Sequence, residues 1–74
     1  MTSGLVKERN TIFIDGYAVQ WFSTILKTTK VMIYVRPHPR DIYICMTEIT
    51  LDYVADKHFV ESVAKTKIAE IESL

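Results

Sequence analysis

Two apolar runs separated by a short charged loop form the most distinctive stretch of the sequence. Residues 31–35 read VMIYV, and residues 41–50 read DIYICMTEIT. β-Branched and aromatic residues at this density favour strands, and turn residues between two such runs favour antiparallel pairing. The pattern therefore predicts a central hairpin with its loop at residues 36–40.

Both faces of this predicted hairpin are apolar. On its first strand Val31, Ile33 and Val35 alternate with Met32 and Tyr34. A strand that is apolar on both sides usually has cover on both sides. A C-terminal helix can cover one face, so we expect a second helix, a second copy of the chain or a target protein on the other.

Residues 15–28 carry two conflicting patterns. Asp15-Gly16 between apolar runs is a strong signal for a two-residue hairpin turn, which favours a strand after it. The apolar residues that follow nevertheless recur at helical spacing, with Val19 as the misfit: Tyr17, Ala18, Trp21, Phe22, Ile25 and Leu26. The need to cover the second face of the hairpin favours a helix over residues 15–28.

The two ends of the chain are simpler. Residues 1–10 are polar and expected to be loosely ordered, and residues 11–14 predict a short strand. Helical periodicity follows Asp52, which is suited to an N-cap, and Glu61 and Lys65 stand in the favourable i,i+4 order. One face of this predicted helix is apolar, with Phe59 at its edge: Val60, Val63, Ala64, Ile68 and Ile71.

These elements predict a single α+β domain over residues 1–74 in the order β-α-β-β-α. The alternative is a four-stranded antiparallel meander plus the C-terminal helix. In that arrangement the uncovered face of the sheet would be buried in a homodimer.

Composition narrows the class of protein. Nine basic and nine acidic residues cancel, whereas general nucleic-acid binders are normally basic overall. Zero net charge also removes the repulsion that keeps copies apart. One cysteine allows no internal disulfide, which favours a reducing, cytoplasmic setting. No run approaches the roughly 20 apolar residues that span a bilayer, so we expect no membrane contact.

The hairpin loop and a few aromatic residues are the candidate binding residues. Two prolines limit the conformations of the loop, so we expect Arg36, His38 and Arg40 to project into solvent. Arginine forks suit carboxylate or phosphate groups, and we expect Lys30 to lie nearby once the hairpin closes. The eight aromatic residues exceed what so small a core needs, so some of them are expected at an interface: Trp21, Tyr34 and Tyr43.

Residues capable of catalysis or metal binding are few and badly spaced. His38 and His58 show no ligand spacing, and no second cysteine completes a zinc set. Cys45 stands in the middle of an apolar strand, which predicts a buried, inert thiol. The sequence therefore predicts no catalytic site, metal or cofactor.

The leading functional hypothesis is a non-catalytic protein-binding module, an inhibitor or adaptor that acts by occupying a partner protein. Small phage-encoded viral proteins directed at host enzymes or defence systems fall in this size class. The alternative is a nucleic-acid-binding domain that uses the basic, proline-restricted loop.

Overall fold

The computed structural model describes residues 9–74 as one antiparallel sheet and one helix. The sheet has four strands in chain order, each paired with the next. The elements are β1 (Asn10–Ile14), β2 (Tyr17–Ser23), β3 (Thr29–Val35), β4 (Ile44–Leu51) and α1 (Lys57–Glu72). The predicted α+β class is confirmed. Of the region expected to be loosely ordered, residues 1–8 lie outside the described residues, and Asn10 begins β1.

The helix predicted over residues 15–28 is wrong, because the chain forms β2 there. Asp15 and Gly16 both have positive φ, 49° and 85°. Positive φ at both central residues is what a type I′ turn requires, and its twist matches that of paired strands. Ile14 and Tyr17 flank the turn as register partners. The Asp15-Gly16 turn therefore outweighs the helical periodicity of the residues after it.

The misleading periodicity arises from a strand with two apolar faces followed by an exposed loop. Val19 and Trp21 lie in the core cluster that includes the helix, whereas Ala18 belongs to the cluster on the opposite face. Ile25 and Leu26 sit in the β2–β3 loop, where 97% and 80% of their surface is exposed. Neither residue is on a helical stripe.

The helix α1 packs on one face of the sheet, which we call the first face. Its N-cap is Asp56 rather than the predicted Asp52, and the carboxylate of Asp56 accepts a hydrogen bond from the Phe59 N–H at 3.0 Å. The predicted Glu61–Lys65 ion pair is present at 3.5 Å. The core that α1 closes consists of Ile14, Val19, Trp21, Val31, Ile33, Ala55, Val60, Ala64 and Ile68.

Strand β4 begins at Ile44, three residues later than predicted, and contains a bulge. Ile33 pairs with Thr47 and Tyr34 pairs with Cys45, so Met46 has no partner on β3. Beyond the bulge, residues 47–51 pair with β3 in regular register. Since β4 is the last strand of the sheet, its outer edge has no neighbouring strand among the described residues.

In the described part of the chain, α1 is the only helix, and no helix is long and apolar enough to cross a membrane.

Candidate binding face

The face of the sheet opposite α1, which we call the second face, carries a small apolar cluster of its own. Ala18, Met32 and Tyr34 are buried there, and Phe22 and Tyr43 pack against them. No helix or strand of residues 9–74 lies over this cluster. The second face is therefore partly closed by its own side chains rather than by a second layer.

Arg9 contributes to that closure at one end of the second face. Its guanidinium lies 4.5 Å from the ring centroid of Phe22, and its Nη1 lies 3.6 Å from the Met32 Sδ. Cation–π stacking of this kind keeps the arginine charge on the surface while its stem covers apolar groups. The sequence analysis did not single out Arg9, although a long cation directly before an edge strand could have suggested the arrangement.

A second arginine–aromatic pair occupies the opposite end of the same face. The guanidinium of Arg36 lies 4.9 Å from the Tyr43 ring centroid. Phe13 contacts the same tyrosine, with ring centroids 6.5 Å apart and planes inclined at 48°. Phe13 keeps 66% of its surface exposed. We call Phe13, Arg36 and Tyr43 the Arg36 patch.

Within residues 9–74, Arg36 takes part in no ion pair. The ion pairs of the described residues are Lys30–Glu48, Lys65–Glu61 and Lys67–Glu70, and none includes an arginine. Arg36 and Arg40 are both exposed. Their guanidinium groups are therefore open to a carboxylate or phosphate from outside.

Lys30 does not join the hairpin loop as expected. It lies near the start of β3, whereas Arg36 follows the last residue of that strand. Its ammonium pairs with Glu48 at 3.2 Å on the second face. Of the three cations expected at the loop, Arg36 and Arg40 lie there and Lys30 does not.

Tyr34 belongs to the buried cluster against which Tyr43 packs and is only 5% exposed. Burial raises the pKa of its phenol above the ordinary value, and the nearby Cys45 adds to the shift. The guanidinium of Arg9 opposes the rise in pKa. The Tyr34 phenol therefore stays neutral at physiological pH.

The remaining candidate residues lie apart. His38 and Arg40 are exposed in the loop, where the Asp41 N–H donates to the His38 carbonyl at 2.9 Å. Trp21 is 7% exposed and lies in the core under α1, on the wrong side of the sheet for a contact with the loop. Of the six predicted binding residues, the structure brings Arg36 and Tyr43 into direct contact. Phe13, which the sequence analysis did not select, completes their patch.

Cys45 is exposed, which corrects the prediction of a buried thiol. The bulge beside it and the edge position of β4 leave its side chain uncovered. Its Sγ lies 3.7 Å from the Thr47 carbonyl oxygen. Within residues 9–74, no three His, Cys, Asp or Glu side chains converge as a metal site would require.

Similarity to other proteins offers no further guide to this site. Comparison of the chain with protein-family models, with curated proteins and with solved structures finds no match in any of the three.

Proposed function

We propose that the protein is a non-catalytic binding module that occupies an acidic surface of a partner protein through the Arg36 patch. The observation that carries the proposal is the Arg36 guanidinium, which stacks on Tyr43 at 4.9 Å and forms no ion pair with a carboxylate of residues 9–74. Arginine and tyrosine are enriched among the residues that dominate protein interfaces. Stacking also orients the guanidinium before binding, which lowers the entropy lost when the complex forms.

Phe13 gives the patch an apolar component. A large ring that is 66% exposed beside an oriented cation offers both the buried area and the charge that a hot spot combines. A protein surface with a carboxylate beside an apolar side chain matches this chemistry.

Paired capture experiments test the proposal. Immobilised wild-type protein is compared with Arg36→Glu and with Lys57→Glu, which reverses an exposed charge at the start of α1, beside Asn10 and Ser23 at the other end of the sheet. We expect one acidic protein to be retained in stoichiometric amount by the wild type and by Lys57→Glu, and to be lost with Arg36→Glu. The purified partner should bind Arg36→Ala at least roughly 30-fold more weakly, as expected for a hot-spot arginine.

Two other results would overturn the proposal. Equal retention by all three baits would show that the Arg36 patch is not the contact. Binding of a single-stranded oligonucleotide that weakens steeply with salt and disappears in Arg36→Glu would instead assign the patch to nucleic acid.

A further inference from the structure

We propose that the outer edge of β4 is the pairing surface for a second copy of this chain. The inference is independent of the Arg36 patch and its partner. In the described sheet β4 is an end strand, so one row of its backbone N–H and C=O groups has no strand to pair with. Such a row is a template for strand addition unless the edge is protected.

The protection on β4 is incomplete. Its eight residues include no lysine and no proline, and its one charge, Glu48, is paired with Lys30. The bulge at Met46 is a protective feature, but it leaves residues 47–51 as a regular stretch. The other end strand, β1, is shorter, with five residues, and follows directly after Arg9.

Symmetry and charge select one register for the pair. A two-fold axis normal to the sheet pairs β4 with its copy in antiparallel sense and places one residue opposite itself. An axis at Glu48 would oppose two carboxylates, and an axis at Thr50 would oppose Glu48 and Asp52. An axis at Thr47 would bring the bulge into the pairing. Among the axes at residues 47–50 the one at Ile49 alone avoids these conflicts, and an axis at Leu51 would lie at the very end of the strand and leave most of residues 47–51 unpaired.

The register centred on Ile49 is also favourable in its contacts. It places Ile49 against its own copy, Thr47 against Leu51 and Glu48 against Thr50. Ile49 and Leu51 pack against the core of the first face, so pairing would join the two cores along that face. No like charges stand opposite each other within residues 47–51.

A groove beside this edge is self-complementary in charge. It has a volume of about 240 Å³ and is lined by Ile49, Ser62, Val63, Thr66, Lys67 and Glu70. Lys67 and Glu70 lie 3.9 Å apart, so the lining carries one charge of each sign. A symmetric copy therefore meets no excess of like charge, in keeping with the zero net charge of the whole chain.

The test is the solution mass of a matched pair of variants at Thr50, an exposed position. Thr50→Glu sets a new carboxylate opposite Glu48 of the copy, twice per dimer, and Thr50→Lys sets an ammonium there. By sedimentation we expect a wild-type dimer, a dissociation constant raised roughly tenfold in Thr50→Glu, and one lowered in Thr50→Lys. Within one copy Thr50 pairs with Lys30, so the Glu variant favours the folded chain and its dissociation is not caused by unfolding.

Three results would overturn the inference. The first is a wild-type protein that is monomeric up to millimolar concentration. The second is a dimer whose affinity does not respond to either change at Thr50. The third is a dimer that Phe13→Asp dissociates while both Thr50 variants remain paired, which would place the second copy on the second face.

Discussion

The Thr29 hydroxyl donates a hydrogen bond to the backbone carbonyl of Tyr53 at 2.8 Å. The same oxygen accepts a hydrogen bond from the Ala55 N–H, also at 2.8 Å. Thr29 is fully buried at the start of β3, so the two bonds fasten the connection between β4 and α1 to the sheet. They fix the approach of the chain to Asp56, where α1 begins.

Replacing that hydroxyl should be costly. Thr29→Val keeps the shape of the side chain but leaves the buried Ala55 N–H without its acceptor, and we expect a loss of about 2 to 3 kcal/mol of unfolding free energy. Thr47→Val is the matched control, because Thr47 is half-buried and its hydroxyl forms no hydrogen bond among the described residues. Urea unfolding measures both variants, and equal stabilities would contradict the role of Thr29.

The N-cap of α1 can be assigned by mutation. Asp56→Ala removes the carboxylate that accepts from the Phe59 N–H at 3.0 Å and should cost about 1 kcal/mol. Asp52→Ala, at the position that the sequence favoured, should change stability by less than about 0.5 kcal/mol. Urea unfolding of the two variants in parallel decides between the two aspartates, and a larger loss in Asp52→Ala would reverse the assignment.

The stability of the turn between β1 and β2 should depend on Gly16. Its φ is +85°, a backbone conformation that residues with a Cβ rarely adopt. No atom lies within 4 Å of the position that a Cβ would occupy, so a substitution there costs stability through backbone conformation alone. Gly16→Ala should lose about 1 kcal/mol, and Gly16→Asn less, since asparagine tolerates the left-handed region. The comparison is made by thermal unfolding, and identical melting temperatures for all three proteins would count against the turn.

Stability should fall at alkaline pH through Tyr34. Burial raises its pKa above 10.0, so near and above that pH the unfolded chain loses the proton before the folded protein does. The unfolded state then binds fewer protons, and the unfolding free energy decreases as pH rises through the raised pKa. Below pH 10, Tyr34 makes its full contribution to the unfolding free energy. In Tyr34→Phe the decline above about pH 10 should be shallower, and parallel pH profiles for the two proteins would exclude the effect.

Cys45 should react with a thiol reagent in the folded protein. Its side chain is exposed, so access does not require unfolding. We expect modification by a colorimetric disulfide reagent at a rate close to that in denaturant. A folded-state rate lower by orders of magnitude would contradict the exposed placement.

The sequence supports most of the sheet because its strands follow local rules. Alternating β-branched residues mark β3, and the turn chemistry of Asp15-Gly16 marks the start of β2. The helix predicted over residues 15–28 rests on two premises that the structure contradicts. Ile25 and Leu26 are exposed in a loop, and no helix of residues 9–74 covers the second face. Nothing local distinguishes an exposed apolar loop from a buried helical face, because exposure is decided by packing with distant residues.

The candidate site was predictable only in part, for a related reason. Arg36 and Tyr43 stand on either side of the loop, so a hairpin brings them near each other. Phe13 comes from β1, thirty positions earlier than Tyr43, and reaches that tyrosine only because β2 is a strand. With a helix predicted over residues 15–28, Phe13 could not be placed beside Tyr43, so the sequence did not indicate the third member of the Arg36 patch.

The order of elements along the chain has a consequence for folding. Each strand pairs with the one just before it, so the sheet can grow by successive local hairpins, a topology associated with fast folding. The helix comes after all four strands. Until it forms, Val19, Val31 and Ile33 on the first face remain in water. A sheet that forms before α1 packs on it therefore exposes an apolar face, which favours aggregation at that stage.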